Sequence, residues 1–262
     1  MSASPVLVEV NDGIAWITLN RPDAGNAIDL AMARALVDAA ILCQTDVAIR
    51  CVVLTGSGRL FCVGGDVGLF ASAGDRVSAL LSELAGTLHM ALARFARMAK
   101  PLLVLVNGPA AGAGLSLAIS GDVVLAARSA YFTAAYGAIG LTPDGGMSWL
   151  LPRVVGLRKA QEIILTNRRI KSEEAEAIGL VTRLVNDEML AAEGKTTATM
   201  LAGSAVAALG AARALLQESL SASYETQLER EARAITAAGA GAECREGLAA
   251  FFAKRSPDFK GA

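Results

Sequence analysis

The 262-residue chain has one histidine and four cysteines, with no CxxC spacing among the cysteines. A Cys/His zinc site needs more ligands than this, and a disulfide framework belongs to small, cysteine-dense secreted chains. Cys43, Cys51, Cys62 and Cys244 therefore read as free thiols of a reducing compartment, and no metal is expected. Neither sign of charge is in surplus: 24 basic against 25 acidic side chains leave a net charge of −1. That balance disfavours a nucleic-acid binder, which normally carries a basic excess. Long apolar runs are also missing. The most apolar stretch, residues 102–119, is interrupted by Asn107, Gly108, Pro109, Gly112 and Gly114, well short of the roughly 18 unbroken residues a membrane helix needs. The first arginine comes only at Arg21, so neither a secretory signal nor a transit peptide is expected, and the expected location is the cytoplasm. Aromatic residues make up 5% and charged residues 19%, against 53% hydrophobic. Such a composition supports an ample core and excludes a disordered chain.

The pattern that is present alternates strands with helices. Val6–Val10 and Ile14–Leu19 are β-rich runs around Asn11-Asp12-Gly13, which predicts a hairpin. Asp29 is placed to cap a helix running to about Cys43. Cys51–Leu54 reads as a strand buried on both faces. It is followed by the glycine-rich loop 56–66 and a helical stretch carrying Leu81, Leu84, Leu88, Leu92 and Phe95, stopped by Pro101. The unit then recurs about 50 residues on: strand Leu102–Val106, a turn at Asn107-Gly108-Pro109, and Gly112-Ala113-Gly114 opening a helix to Ile119. Asp122–Ala126 reads as a further strand, Leu157–Leu165 and Ser172–Ile178 as short helices, and Leu180–Val185 as the last strand. From Asp187 onward only helix is expected. Repeated strand, loop and helix predict an α/β layered fold.

Several familiar catalytic patterns are incomplete. Gly56-Ser57-Gly58 lacks the third glycine of a dinucleotide fingerprint, and no lysine-serine or lysine-threonine pair follows a glycine loop. Ser116 lies in Gly-Leu-Ser-Leu-Ala, which misses the last glycine of a nucleophile elbow. The loops Phe61-Cys62-Val63-Gly64-Gly65-Asp66 and Ala110-Ala111-Gly112-Ala113-Gly114 remain. Their small residues let backbone approach a ligand, and each opens a helix whose first N–H groups are unpaired. Two such amides converging would form an oxyanion hole for a thioester oxygen becoming an enolate; the alternative is a pair of tight packing turns. Asp144, before Gly145-Gly146, is either a helix cap or a proton carrier facing a pocket. His89 sits mid-helix beside the apolar stripe, where a core role competes with a catalytic one. Asp66 and Asp122 read as caps or acceptors for loop amides.

In combination, Asn20-Arg21-Pro22 with Asn26-Ala27, Phe61 to Asp66, Val106-Asn107-Gly108 with Gly112-Ala113-Gly114, and Gly140 to Pro152 resemble the enoyl-CoA hydratase/isomerase (crotonase) superfamily. These motifs run in that family's order over nearly the whole chain. The resemblance implies a ClpP-like spiral of ββα units over 1–195 and a helical C-terminal region, 196–262, that covers the coenzyme A site and trimerises. It also implies acyl-CoA thioester substrates, coenzyme A being part of the substrate and no separate cofactor, and a homotrimer or a dimer of trimers. Gly65 and Ala113 would supply the oxyanion-hole amides. Asn26, Ala27, Gly64 and Asp66 fall where the family lines its coenzyme A site.

The departures select among the family's reactions. Hydratases place two glutamates where this chain has Ser116 and Tyr136, which disfavours simple hydration. Gly140 to Asp144, Trp149 to Arg153, and the tail Arg245-Glu246-Gly247 with Phe252 to Pro257 resemble the isomerase branch, which includes the phenylacetate-pathway ring-epoxide isomerase. In that branch an aspartate at the place of Asp144 moves the proton. A second likeness is to 4-chlorobenzoyl-CoA dehalogenase: His89 lies 12 residues before Pro101 and 55 before Asp144, matching that branch's histidine and nucleophilic aspartate. Tyr136 would be one aromatic of its ring slot, but Leu88 stands where a tryptophan is expected. The expected activity is therefore an enoyl-CoA isomerase with Asp144 as acid/base. An aroyl-CoA dehalogenase or hydrolase using Asp144 and His89 is the alternative, and a non-catalytic acyl-CoA- or RNA-binding member a third.

Overall fold

The computed structural model describes residues 4–261; residues 1–3 of the expected spiral core and residue 262 of the tail lie outside it. The chain opens with a hairpin of β1 (Val6–Asn11) and β2 (Ile14–Leu19). Its turn residues Asp12 and Gly13 both have positive φ, 55° and 79°, the conformation whose twist matches that of antiparallel strands. Asp29 caps α1 (Leu30–Thr45), its carboxylate accepting the Met32 N–H at 2.7 Å. Then follow β3 (Cys51–Gly56), α2 (Val67–Ser72), the long α3 (Val77–Arg97), β4 (Leu102–Val106), β5 (Ala110–Ala111) and the buried α4 (Ala113–Ile119). Next come β6 (Val123–Ala127), β7 (Tyr131–Thr133), α5 (Met147–Val155), α6 (Leu157–Thr166), β8 (Ile170–Lys171), α7 (Ser172–Ala177) and β9 (Arg183–Val185). Four helices complete the chain: α8 (Leu190–Gly203), α9 (Val206–Ser219), α10 (Tyr224–Gly239) and α11 (Ala242–Phe252).

The main sheet has the order β1-β2-β3-β4-β6-β9, parallel from β2 onward. Its central strands are continuously apolar because both faces are covered. Val52, Leu54, Leu102 and Val104 point into the larger core with α1 and α3, while Cys51, Val53, Leu103 and Leu105 pack beneath Leu190, Ala198 and Ala202 of α8. The expected division at residue 195 falls inside α8, which lies against β3, β4 and β6.

A second ladder runs beside the main sheet. Ile28 pairs with Gly65, Cys62 with Ala110, and Ala110–Ala111 with Phe132–Thr133, all parallel; β8 closes it antiparallel to β7. Each turn of the chain thus leaves one strand in the main sheet and a short one in this ladder, as the α/β spiral predicts. The last strand is shorter than the sequence suggests. Leu180 and Val181 instead fold back so that both N–H groups reach the Ala175 carbonyl, ending α7.

The C-terminal helices are fastened to the spiral by Arg213 of α9, which is buried. Its Nε sits 2.6 and 2.7 Å from the two oxygens of Asp122, and its two amino groups donate to the carbonyls of Phe95, Ala96 and Met98. Asp122 also accepts the Leu102 N–H at 2.7 Å, the loop-amide role expected of it.

Candidate active site

Parallel pairing brings the two glycine loops into contact. A Cβ on Gly64, whose φ is 98°, would stand 2.9 Å from the Ala111 carbonyl oxygen and 3.4 Å from the Ala113 nitrogen. A Cβ on Gly114 would overlap the Cys62 carbonyl, so both loops need glycine for their backbones to meet. Gly112, at φ 53°, starts α4 without a side-chain cap. Among the described residues neither the Gly65 nor the Ala113 N–H has an acceptor. Both residues line one cavity of about 430 Å³.

That cavity is apolar. Ile28, Val67, Phe70, Leu84, Leu88, Ile139 and Leu141 are among its walls, and Asp144 and Tyr136 are the only titratable residues among those that line it. Phe70 of α2 presses its ring end against Gly65. Asp144 does not cap α5, whose N-cap Gly146 has no side-chain bond. Its Oδ1 instead accepts the Tyr136 hydroxyl at 2.5 Å, and its main-chain oxygen accepts the Ser116 hydroxyl at 2.9 Å. Burial first, and the neighbouring Asp144 charge next, push the Tyr136 phenol well above its ordinary value, so it stays a donor. Ser116 and Tyr136, noted in the sequence as replacements for two carboxylates, thus both hold Asp144.

His89 of α3 is half exposed and does not line the cavity. Its Nε2 lies 4.0 Å from Asp144 Oδ2 and accepts the Gly145 N–H at 3.0 Å, which puts the ring proton on Nδ1. The residues expected at a coenzyme A site divide in two. The side chain of Asn26 is buried: it accepts the Arg21 N–H and donates to the carbonyls of Ser57, Leu60 and Phe61. Its main chain is engaged too, the N–H donating to the Arg21 carbonyl at 2.8 Å and the carbonyl accepting from the Cys62 thiol at 3.1 Å. Ala27 is buried with its carbonyl on Arg21, and Asp66 caps α2 through Leu69 while pairing with Arg21 at 3.1 Å. Gly64 alone of the four lines the cavity. Arg21, quoted in a motif but given no role, also reaches Asp29 at 3.2 Å and so ties together the caps of α1 and α2. The buried thiols are inert: desolvation lifts Cys43 to about 11 and Cys51 and Cys62 to about 12. No group of three or more candidate metal ligands occurs among the described residues.

A sequence model of the enoyl-CoA hydratase/isomerase family matches residues 9–262. The chain belongs to the enoyl-CoA hydratase/isomerase family. It is 37% identical over 264 residues to the 1,2-epoxyphenylacetyl-CoA isomerase of Escherichia coli, covering 98% of each protein. It is 40% identical over 261 residues to a Rhodobacter capsulatus protein named "Probable enoyl-CoA hydratase", covering 100% of each. The crystal structure of an enoyl-CoA hydratase from Polaromonas superposes with a TM-score of 0.92 at 30% identity, covering 97% of this chain and 98% of that one. Members under the isomerase and the hydratase names are thus both close to this enoyl-CoA hydratase/isomerase. The crotonase fold, an acyl-CoA thioester as the family's substrate and enzymatic function follow from membership.

Proposed function

We propose that this enoyl-CoA hydratase/isomerase shifts a double bond within an acyl-CoA, with Asp144 as the single acid/base. The observation that carries the reading is one carboxylate in an apolar cavity shared with the unpaired N–H groups of Gly65 and Ala113. In a 3-enoyl-CoA, Asp144 takes a proton from C2, and the electron pair moves into the thioester to give a dienolate. The Gly65 and Ala113 amides hold the oxygen, and the same carboxyl group returns the proton to C4, giving the conjugated 2-enoyl-CoA. Each amide donor of this kind is worth about 10²–10³ in rate, and a positioned base about 10²–10⁴. Hydration would ask for a second carboxylate to divide the work on water and C2, and Tyr136 and Ser116 stand in those places.

The likeness to the dehalogenase branch rests on His89 near Asp144. Its Nε2 lone pair is engaged by the Gly145 N–H, leaving it poorly placed to draw a proton from water, which favours the isomerase. The expected partners are acyl-CoA and further copies of the chain, in a trimer or a dimer of trimers: Leu228, Ile235, Leu248, Phe251 and Phe252 are exposed on the C-terminal helices, the kind of surface an oligomer buries.

The test is conversion of 3-enoyl-CoA to 2-enoyl-CoA, followed by thioester absorbance. Asp144→Asn is expected to lose about 10²–10⁴ in kcat while acyl-CoA still binds. Unchanged turnover in that variant ends the assignment. Chloride release from 4-chlorobenzoyl-CoA would replace it with the dehalogenase reading.

A further inference from the structure

We infer that Tyr136 is a positioning residue that decides which oxygen of Asp144 does the chemistry. The inference deepens the reading of Asp144 as acid/base and rests on it. Tyr136 stands on a single 3₁₀ turn, residues 136–139, entered through Ala135 in a left-handed conformation with φ 63°. This turn directs the hydroxyl onto Oδ1, eight residues along the chain, at 2.5 Å. The ring itself is a wall of the cavity and packs on the main core, so the hydroxyl is held by the fold as a whole.

The three groups around Asp144 act on different atoms. Tyr136 occupies Oδ1, Ser116 of α4 holds the main-chain oxygen, and His89 of α3 takes the next residue's N–H while standing 4.0 Å from Oδ2. Tyr136 and His89 are the titratable groups facing the carboxylate, and no basic side chain lines the cavity. Oδ2 is thus the oxygen left for substrate. The hydrogen bond from the phenol stops the carboxyl from rotating between abstraction at C2 and delivery at C4. A phenol suits this task because its own ionisation is pushed out of reach by burial; a second carboxylate in its place would compete for the proton.

The variant that tests this is Tyr136→Phe, which keeps the ring in the wall. Ser116→Ala, which loosens the same loop without touching the carboxylate, is its comparison. Two quantities are read on a 3-enoyl-CoA carrying deuterium at C2: kcat against KM, and the share of that deuterium found at C4 of the product. In Tyr136→Phe kcat is expected to fall about tenfold with KM within about twofold, and the share carried to C4 to fall at least about twofold. Ser116→Ala, which leaves the Oδ1 bond in place, should keep the share seen in the unaltered protein. No carried deuterium in the unaltered protein, an unchanged share in Tyr136→Phe, or an equal loss in Ser116→Ala overturns the inference. Deuterium carried in a protein whose Asp144→Asn variant still turns over removes the acid/base reading instead.

Discussion

The strand, glycine loop and helix that follow β3 and the ones that follow β4 start alike and end differently. After β3 the loop feeds α2, a six-residue helix with no buried residue, whose start is capped by Asp66 and anchored by Arg21. After β4 it feeds α4, whose seven residues are all buried and whose first residue has no side-chain partner. A helix start at the surface can be satisfied by its own cap or by water, whereas one inside the core leaves its amides exposed only to whatever enters the cavity. The second loop is therefore the one that needs a ligand acceptor, and the first one lends it Gly65 from alongside.

The contrast is broken most severely at Gly114. Its replacement by alanine drives a methyl group into the Cys62 carbonyl, and a loss of about 3 kcal/mol in stability is expected by denaturant unfolding. The same change at Gly86, in open space on α3, should instead gain about 1 kcal/mol. Equal stability of the two variants would mean that the loops need not touch.

Alkaline pH sharpens the contrast next, because only the first loop carries a thiol. Cys43, Cys51 and Cys62 ordinarily ionise near 9.0 but are held protonated in the fold to about 11, 12 and 12. Their contribution to stability is full below 9 and is lost as the pH rises through 9 toward 12, because the unfolded chain releases protons that the folded one retains. Each thiol adds a slope of about 1.4 kcal/mol per pH unit. Cys62→Ser should remove one thiol's share of that slope, measured as unfolding free energy between pH 9 and 11; an unchanged slope would show that the first loop opens in alkali. The smallest effect belongs to Asp66→Ala, which removes the cap of α2 and is expected to cost about 1 kcal/mol, with α4 untouched.

The long elements were legible because their signals are local: the positive-φ hairpin at Asp12-Gly13, the Asp29 cap, and strands such as Leu102–Val106 that are apolar throughout. The second ladder was not, since β5, β7 and β8 have two or three residues each and their pairing is set by the stacking of successive turns. In the site, Asp144 was singled out with two roles open, and the structure leaves α5 without its side chain. Its bond to Tyr136 had no sequence signal: the two residues lie eight apart across an irregular turn with no periodicity. Asn26 shows the opposite difficulty, because a motif residue can be spent wholly on folding the loop, as its four side-chain bonds to main chain are.

Arg213 joins the C-terminal helices to the helix that walls the site. Its guanidinium clamps α9 to the last turn of α3 and to the edge between β4 and β6, and the other half of α3 supplies cavity walls at Leu81, Leu84 and Leu88. α10 is fastened in turn to α9 by Gln227 on the Leu215 carbonyl and Arg230 on Glu218, so the C-terminal helices reach the cavity walls through a continuous line of contacts.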